Sequence, residues 1–358
     1  MSTLHRWGWN AYWEAVWKSA ERENLLPARA IAQSHGIWRV AGDFGESLAE
    51  AAGKLRLAAE QGADWPAVGD WVALELRDQG GAALIREVLP RRSQFVRKVA
   101  GKKVAQQVLA ANVDTALLVS ALDGNFNPPR VERYLSQCWE SGARPVIVLN
   151  KADACEQPQE QAAELERIAM GVPVLMISAR TGQGFDELHA HLGGGQTMVL
   201  LGSSGVGKST IVNRLMGHIL QETQEVRESD SRGRHTTTAR QLFVLPGGAL
   251  LIDTPGLREL QLWEADEGIA QAFADIQALA GQCRFGNCNH ATEPGCAVQA
   301  AIHTGSLDLE RLENWRKLRR EQQFLRRKID AEASQNEKRR IKQLMRGVRK
   351  MYRDREKG

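Results

Sequence analysis

The sequence predicts a multidomain α/β fold: a small barrel of short strands, a central parallel-sheet domain and a C-terminal helical segment. Three observations predict it. Short strand-like runs broken by glycine fill residues from about 29 to 98. Apolar runs of buried-strand type then recur between residues 115 and 252, with helical spacing among them. Finally, three Cys and one His cluster ahead of a basic helical stretch. A chain of 358 residues has room for two or three domains, and its apolar content is ample for real cores.

Residues 1–28 are a Trp-rich extension. Four of the ten Trp lie within the first seventeen positions, and Trp9, Trp13 and Trp17 recur at i, i+4, i+8 spacing on one helical stripe. Large aromatics are usually buried, which favours packing against the neighbouring barrel; docking on a partner is the other reading.

Residues 29–100 supply that barrel. Residues 30–34, 37–40, 54–58, 71–76 and 83–89 read as five strands, with Gly36, Gly42-Asp43, Gly69-Asp70 and Gly80-Gly81 as breaks. Five short strands with turn signals suit a barrel of OB type, an architecture that commonly binds oligonucleotides. Arg91, Arg92, Arg97, Lys98, Lys102 and Lys103 follow as a basic stretch. It reads equally well as a solvated linker or as an RNA contact.

Residues 101–258 carry the nucleotide chemistry. After a first buried strand at 115–120, the apolar run 145–149 leads into Asn150-Lys151-Ala152-Asp153. The Asp153 carboxylate only accepts hydrogen bonds, so it suits the N1–H and exocyclic amine of guanine. Adenine has no such donor pair and would leave Asp153 buried and unpaired. Asn150 would tie this loop to a phosphate loop, and the Lys151 stem would cover the base. Residues 174–177 end in Ser178-Ala179, where GTPases set a backbone N–H against guanine O6.

The apolar run 197–201 enters Gly202-Ser203-Ser204-Gly205-Val206-Gly207-Lys208-Ser209, which fits G-x-x-x-x-G-K-[ST]. From Ser209 and Thr210 onward the spacing is helical, with Ile211, Val212 and Leu215 on one face. Consecutive N–H groups of such a turn cradle phosphate oxygens, helped by the positive end of the helix. Lys208 would reach the β and γ phosphates, and the Ser209 hydroxyl would ligate Mg²⁺. A chance glycine turn is the bland alternative, and the strand-loop-helix context counts against it.

Residues 250–252 lead into Asp253-Thr254-Pro255-Gly256, a D-x-x-G whose Asp would hold Mg²⁺ through water and whose Gly256 N–H would sense the γ phosphate. Leu257 follows, where many small GTPases carry a Gln that orients the attacking water. Leucine cannot do that. The stretch Gly233-Arg234-His235-Thr236-Thr237-Thr238 lies where the Mg²⁺-sensing switch belongs. One Thr there would ligate Mg²⁺, and His235 is the nearest group to orient or deprotonate water. An idle loop histidine is the competing reading. In ordinary GTPases the phosphate loop precedes N-K-x-D. Here it follows, so the domain reads as a circularly permuted P-loop GTPase.

Residues 259–335 form a helical segment holding Cys283, Cys288, His290 and Cys296. Three thiols and an imidazole make a full tetrahedral set for a structural zinc, and Gly286, Asn287, Pro294 and Gly295 allow its turns. Disulfides would leave an odd Cys, so isolated reduced thiols are the competing reading. Cys138 shares a helical face with Val131, Tyr134 and Leu135 and reads as core, while Cys155 sits in a polar loop.

Residues 336–358 are a basic tail. From residue 311 onward eighteen Lys or Arg face seven Asp or Glu, whereas the whole chain carries only +4. Such asymmetry points to phosphate-backbone binding, often by a segment that orders on its partner; a solvated helix carrying Leu312, Trp315, Leu318, Phe324 and Leu325 is the bland reading.

The reversed motif order, the G-R-H-T-T-T switch, Leu257 after D-T-P-G, the Cys-Cys-His-Cys knuckle and Ala111-Asn112-Val113-Asp114 together resemble the RsgA family over roughly residues 29–320. The resemblance implies a multidomain α/β protein with an N-terminal OB-type β-barrel, a circularly permuted P-loop GTPase domain and a C-terminal helical zinc-knuckle domain with a basic tail. It implies GTP hydrolysis stimulated by the 30S ribosomal subunit during late assembly or checking, with 16S rRNA as the polyanion. It places the catalytic His on His235 and the switch Mg²⁺ ligand on Thr237, with GTP/GDP, Mg²⁺ and one Zn²⁺ as cofactors. Family members often begin with a basic tail, and this chain departs from that with its Trp stripe. A scaffold that binds RNA and guanine nucleotide without useful hydrolysis is the second function class; intact Lys208, Ser209, Thr237, Asp253 and His235 favour the enzyme. No apolar run approaches the ~20 residues of a span and no signal peptide is apparent, so a cytoplasmic setting away from membranes is expected; a monomer that binds no DNA is the further expectation.

Overall fold

The computed structural model describes residues 2–60, 65–77, 81–98, 106–124, 126–169, 171–217, 240–253 and 265–327. Five strands close the N-terminal barrel: β1 (Leu26–Ser34), β2 (Ile37–Gly42), β3 (Gly45–Ala51), β4 (Trp71–Glu75) and β5 (Ala83–Val88). They run β1-β2-β3-β5-β4 in space, and β4 returns to pair antiparallel with β1. Closure removes the unpaired edges of an open sheet. Trp38, Val40, Val72, Leu74 and Ile85 fill the interior.

The third strand is not the one the sequence suggests. Residues 54–58 lie in helix α3 (Gly53–Glu60), and β3 runs upstream of it. The Leu55/Leu57 alternation mimics a strand period, yet Lys, Leu, Arg, Ala and Glu are strong helix formers. Leu57 is 58% exposed, so no buried face demands the alternation. The β3 segment has no β-branched residue; its hairpin with β2, turning between Gly42 and Gly45, and its parallel pairing to β5 impose the strand.

Helices α1 (Thr3–Arg6) and α2 (Ala11–Lys18) lie against the barrel, α2 being capped by Asn10 Oδ1, which accepts from the N–H groups of Tyr12 and Trp13. Trp9 precedes α2 rather than belonging to it. Even so, Trp9 and Trp13 both pack on Trp71 of β4, at centroid distances of 4.8 and 6.0 Å, and Trp17 meets Trp9 edge-on. The Trp stripe therefore packs on the barrel.

A hairpin of β6 (Gln94–Lys98) and β7 (Gln106–Ala111) leads out of the barrel. Arg91 of the basic stretch is committed to the fold, donating from Nε and Nη2 to the buried Asp70 carboxylate at 2.8 Å. Arg92 lies over the Tyr12 ring beside Asp114.

The second half of the sheet comprises β8 (Thr115–Ala121), β9 (Arg144–Asn150), β10 (Val174–Met176), β11 (Thr197–Leu201), β12 (Arg240–Val244) and β13 (Leu250–Asp253), in the order β10-β9-β8-β11-β13-β12. All pairings are parallel except that of β12 with β13. β8 and β11 are buried throughout, as parallel strands covered on both faces must be. Alternate residues feed two cores: Ala116 and Leu118 face one with Val131 and Leu135, while Leu117 and Val119 face the other with Ile211 and Leu215. The covering helices are α4 (Pro128–Ser141), α5 (Pro158–Ile168), α6 (Phe185–Ala190) and α7 (Lys208–Met216). Pairing of Ala32 with Gln241 and Gln33 with Arg240 makes barrel and parallel sheet one 11-stranded surface.

Helices α8 (Asp266–Ala272), α9 (Ala274–Ala280), α10 (Ala297–His303) and α11 (309–327) complete the described chain. Gly268 lets α8 cross α4 closely, since a Cβ there would lie 1.9 Å from the Ser136 carbonyl oxygen. Leu312 and Leu318 of α11 are fully buried and Phe324 is exposed. Arg311 ion-pairs with Glu132 of α4 and with Asp275 of α9, and Asn314 donates to Glu132. Burial pushes the Glu132 carboxyl up from its ordinary value, against the pull of Arg311 and Asn314. Cys138 is buried in the core and Cys155 is half-buried. No helix among the described residues is long and apolar enough to cross a membrane.

Candidate functional site

The site gathers at the carboxyl ends of β11, β9 and β13, where ligands bind in doubly wound sheets. β11 delivers the glycine-rich loop, and α7 leaves it from Gly207, whose φ is +92°. A Cβ on Gly207 would fall 2.2 Å from Asn150 Nδ2, so the close approach of the two loops requires glycine there. Asn150, at the end of β9, is itself buried. It donates from Nδ2 to the Val206 carbonyl at 2.9 Å and accepts the Ala179 N–H on Oδ1 at 2.9 Å. One side chain thus joins the phosphate loop, the N-K-x-D segment and the Ser178-Ala179 loop.

The same three loops carry other predicted residues. Lys151 adopts φ +67° and donates to Asp123 Oδ2 at 2.8 Å. Asp153 lies in an exposed turn with its side chain 17% exposed, and Arg180 Nε is 3.4 Å from its Oδ2. Ser178 is fully buried, its Oγ accepting the Thr181 N–H and its own N–H bonded to the Gln183 carbonyl. In the loop, Ser204 and Gly205 are exposed, whereas Gly202 and Val206 are buried. Lys208 Nζ donates to the Gly202 carbonyl at 2.6 Å and to that of Ser203. Ser209 and Thr210 open α7, half-buried, and Asp253 ends β13. His235, Thr237, Thr254 and Gly256 lie outside the described residues, as does the tail beyond residue 327.

Two contacts had no clear sequence signal. Asp123, the partner of Lys151, sits in an ordinary-looking loop after β8. Arg130 donates to Ser203 Oγ at 3.2 Å from the first turn of α4. The Asn127-Pro128-Pro129 pattern marks a helix start, but nothing in it says where the helix points.

The second constellation is the Cys/His cluster between α9 and α10. The ligand atoms of Cys283, Cys288, His290 and Cys296 all lie within 4.8 Å of one another. Cys283 Sγ is 3.8 Å from Cys296 Sγ, and His290 Nδ1 is 3.5 and 3.6 Å from those sulfurs. A tetrahedral zinc with bonds of about 2.3 Å to S and about 2.0 Å to N requires edges of about 3.8 Å (S to S) and about 3.5 Å (S to N). The donor set therefore fits zinc in both chemistry and spacing. Burial, then the Arg316 guanidinium, hold the His290 imidazole below its usual value, which favours the neutral form that binds metal. Glu293 braces the loop: its carboxylate accepts its own backbone N–H and those of Asn289, Ala291 and Thr292, bonds that lower it to about 2.

A closed five-strand barrel, a parallel sheet with its phosphate loop downstream of N-K-x-D, and a Cys₃His knuckle define a circularly permuted GTPase. A family model described as RsgA GTPase matches residues 88–263. The chain is 48% identical over 322 residues to the small ribosomal subunit biogenesis GTPase RsgA of Syntrophotalea carbinolica, covering 88% of each. It is 44% identical to the protein of that name from Opitutus terrae, covering 97% of each. The crystal structure of YjeQ from Thermotoga maritima superposes with a TM-score of 0.63 at 27% identity, over 83% of this chain and 98% of that one. The chain belongs to the RsgA GTPase family.

Proposed function

We propose that this protein hydrolyses GTP to GDP and phosphate in the service of small ribosomal subunit assembly, in a late or checking step, bound to 16S rRNA of the 30S particle. The observation that carries the nucleotide part is the Asn150 joint, which brings a base-reading loop and a phosphate loop to one place. Asp153 reads the guanine N1–H and amine, Lys151 covers the base, and the Ala179 N–H is shared between Asn150 and guanine O6. The N–H groups from Gly202 to Thr210 hold phosphates, with Lys208 on the β and γ groups. Ser209, Thr237 and Asp253 would hold Mg²⁺, the Gly256 N–H would sense the γ phosphate, and His235 would orient the attacking water. Mg²⁺ supplies charge neutralisation at the phosphates when bound.

The knuckle residues hold one structural zinc, which ties α9 to α10. The ribosomal part rests on the family and on the basic C-terminal segment. We read the extension (1–28), barrel (29–100), GTPase domain (101–258), zinc domain (259–335) and tail (336–358) as the units of this activity, in a cytoplasmic, monomeric protein that binds no DNA. Turnover of GTP and ATP, measured with and without 30S subunits, tests the proposal. The expected result is GTP-selective hydrolysis accelerated by 30S; equal use of ATP, or no response to 30S, overturns the corresponding half.

A further inference from the structure

Helix α4 begins with a rigid turn at the edge of the phosphate loop. Asn127 caps it, its Oδ1 accepting the Arg130 N–H at 2.8 Å, and Pro128 and Pro129 fix the backbone of the first helical positions. The far side of the same turn is anchored. Glu132 is buried against Arg311 and Asn314 of α11, and Arg133 pairs with Glu321 at 2.8 Å. The residue this turn presents to the loop is Arg130, whose half-buried guanidinium donates to Ser203 Oγ at 3.2 Å.

The partner is unusual. Arg133 and Arg311 on these helices each have a carboxylate, whereas among the described residues Arg130 has only a neutral hydroxyl. A guanidinium forms shorter, bidentate bonds with phosphate oxygens, roughly twice as strong as neutral ones. Exchange of the Ser203 hydroxyl for a phosphate is therefore favourable, and a donor held by a fixed helix turn costs little reorganisation.

Building on the GTP-hydrolysis reading above, we propose that Arg130 is a further catalytic residue: its guanidinium passes from Ser203 to the γ-phosphate oxygens of bound GTP. In hydrolysis a water oxygen bonds to the γ phosphorus while the bond from that phosphorus to the β–γ bridging oxygen breaks. GDP leaves, and the water proton ends on inorganic phosphate. Negative charge is carried by the γ oxygens and the bridging oxygen throughout, and Arg130 stabilises it there. An arginine supplied in this way to other GTPases accelerates turnover by about 10³- to 10⁵-fold.

The test uses full-length Arg130→Ala, Arg130→Lys and Ser203→Ala, each checked for thermal midpoint and zinc content. Steady-state kcat and KM for GTP are measured beside affinities for GDP and a non-hydrolysable GTP analogue. Arg130→Ala should lose about 10²-fold or more in kcat and bind the analogue more weakly, with GDP affinity unchanged. Arg130→Lys should recover part of the loss, because it keeps the charge without the bidentate fork. A parent chain without GTP turnover overturns both this inference and the function it rests on. An active parent whose Arg130→Ala variant turns over within threefold overturns the inference alone. So does a Ser203→Ala loss equal to that of Arg130→Ala without rescue by lysine, since Arg130 would then only position the loop.

Discussion

Arg29, on the first strand of the barrel, donates from Nη2 to Thr197 Oγ1 at 2.7 Å, and Thr197 opens the strand that feeds the phosphate loop. The same guanidinium, fully buried, reaches the carbonyls of Trp7, Gly69 and Asn112 and lies over the Trp71 ring. Burial lowers it to about 10, with Asp114 and Asp70 opposing, so it remains charged at neutral pH. One side chain thus joins the Trp-rich extension, the barrel, the linker and the nucleotide domain.

Arg29→Ala should accordingly destabilise this junction. Truncation leaves several buried acceptors without a donor, at about 1–3 kcal/mol each before relaxation, so a loss of at least about 3 kcal/mol is expected. Urea unfolding followed by Trp fluorescence would read it, since Trp7 and Trp71 sit at the junction. A midpoint equal to that of the parent would mean that water or repacking replaces the guanidinium.

Asp153→Asn should weaken GTP binding by about 2 to 4 kcal/mol through loss of a charge-assisted pair, without a comparable loss for xanthosine triphosphate. Arg180 is no substitute for the base, because its side chain is 85% exposed and such pairs contribute little. Competition binding with a fluorescent guanine nucleotide measures the change. Equal GTP affinity in parent and variant would remove Asp153 from the base site.

The residues that advertise themselves in one dimension are those whose chemistry needs a fixed local spacing. The phosphate loop, N-K-x-D and the Cys₃His cluster belong here, as do the apolar strands β8, β9, β11 and β13, buried on both faces. What stayed hidden depends on partners far away in sequence. Arg29 and Arg91 look like surface charges until Thr197 and Asp70 are seen beside them. The same holds for Glu132, whose partner Arg311 lies on another helix. Strand β3 is not legible in the sequence because barrel pairing overrides its weak intrinsic preference, while the better-patterned 54–58 segment follows its helix propensity.

One zinc per chain is expected by elemental analysis, and Cys288→Ser should release it. The His290 ring lies 5.7 Å from Trp315, so loss of metal should also alter Trp emission from the C-terminal domain. Metal content and fluorescence during chelator titration check this together. A fully folded, zinc-free parent would reduce the four residues to an ordinary thiol cluster.

His235→Ala should keep GTP affinity but lose about 10²-fold or more in turnover, as removal of a water-orienting or basic group does. Leu257 cannot take over, having no hydrogen-bonding atom in its side chain. Single-turnover rates with 30S present are the measurement. A rate equal to the parent's would assign the water to another group.

Deleting residues 336–358 should lower 30S affinity and flatten its salt dependence. That stretch holds ten Lys or Arg, against a net charge of +4 for the entire chain. Each phosphate contact releases counterions, with a slope of about −0.7 to −0.9 in log K against log salt. If several contacts are lost, the slope should therefore fall by several units. Intrinsic GTP hydrolysis should survive, because the nucleotide loops are anchored by Asn150, Val206 and Ala179, all far upstream of the deletion. Binding to 30S measured at several salt concentrations decides the matter. Unchanged affinity and slope would transfer recognition to the barrel and to the basic face of α11, where Arg316, Arg319 and Arg320 flank the Cys₃His cluster.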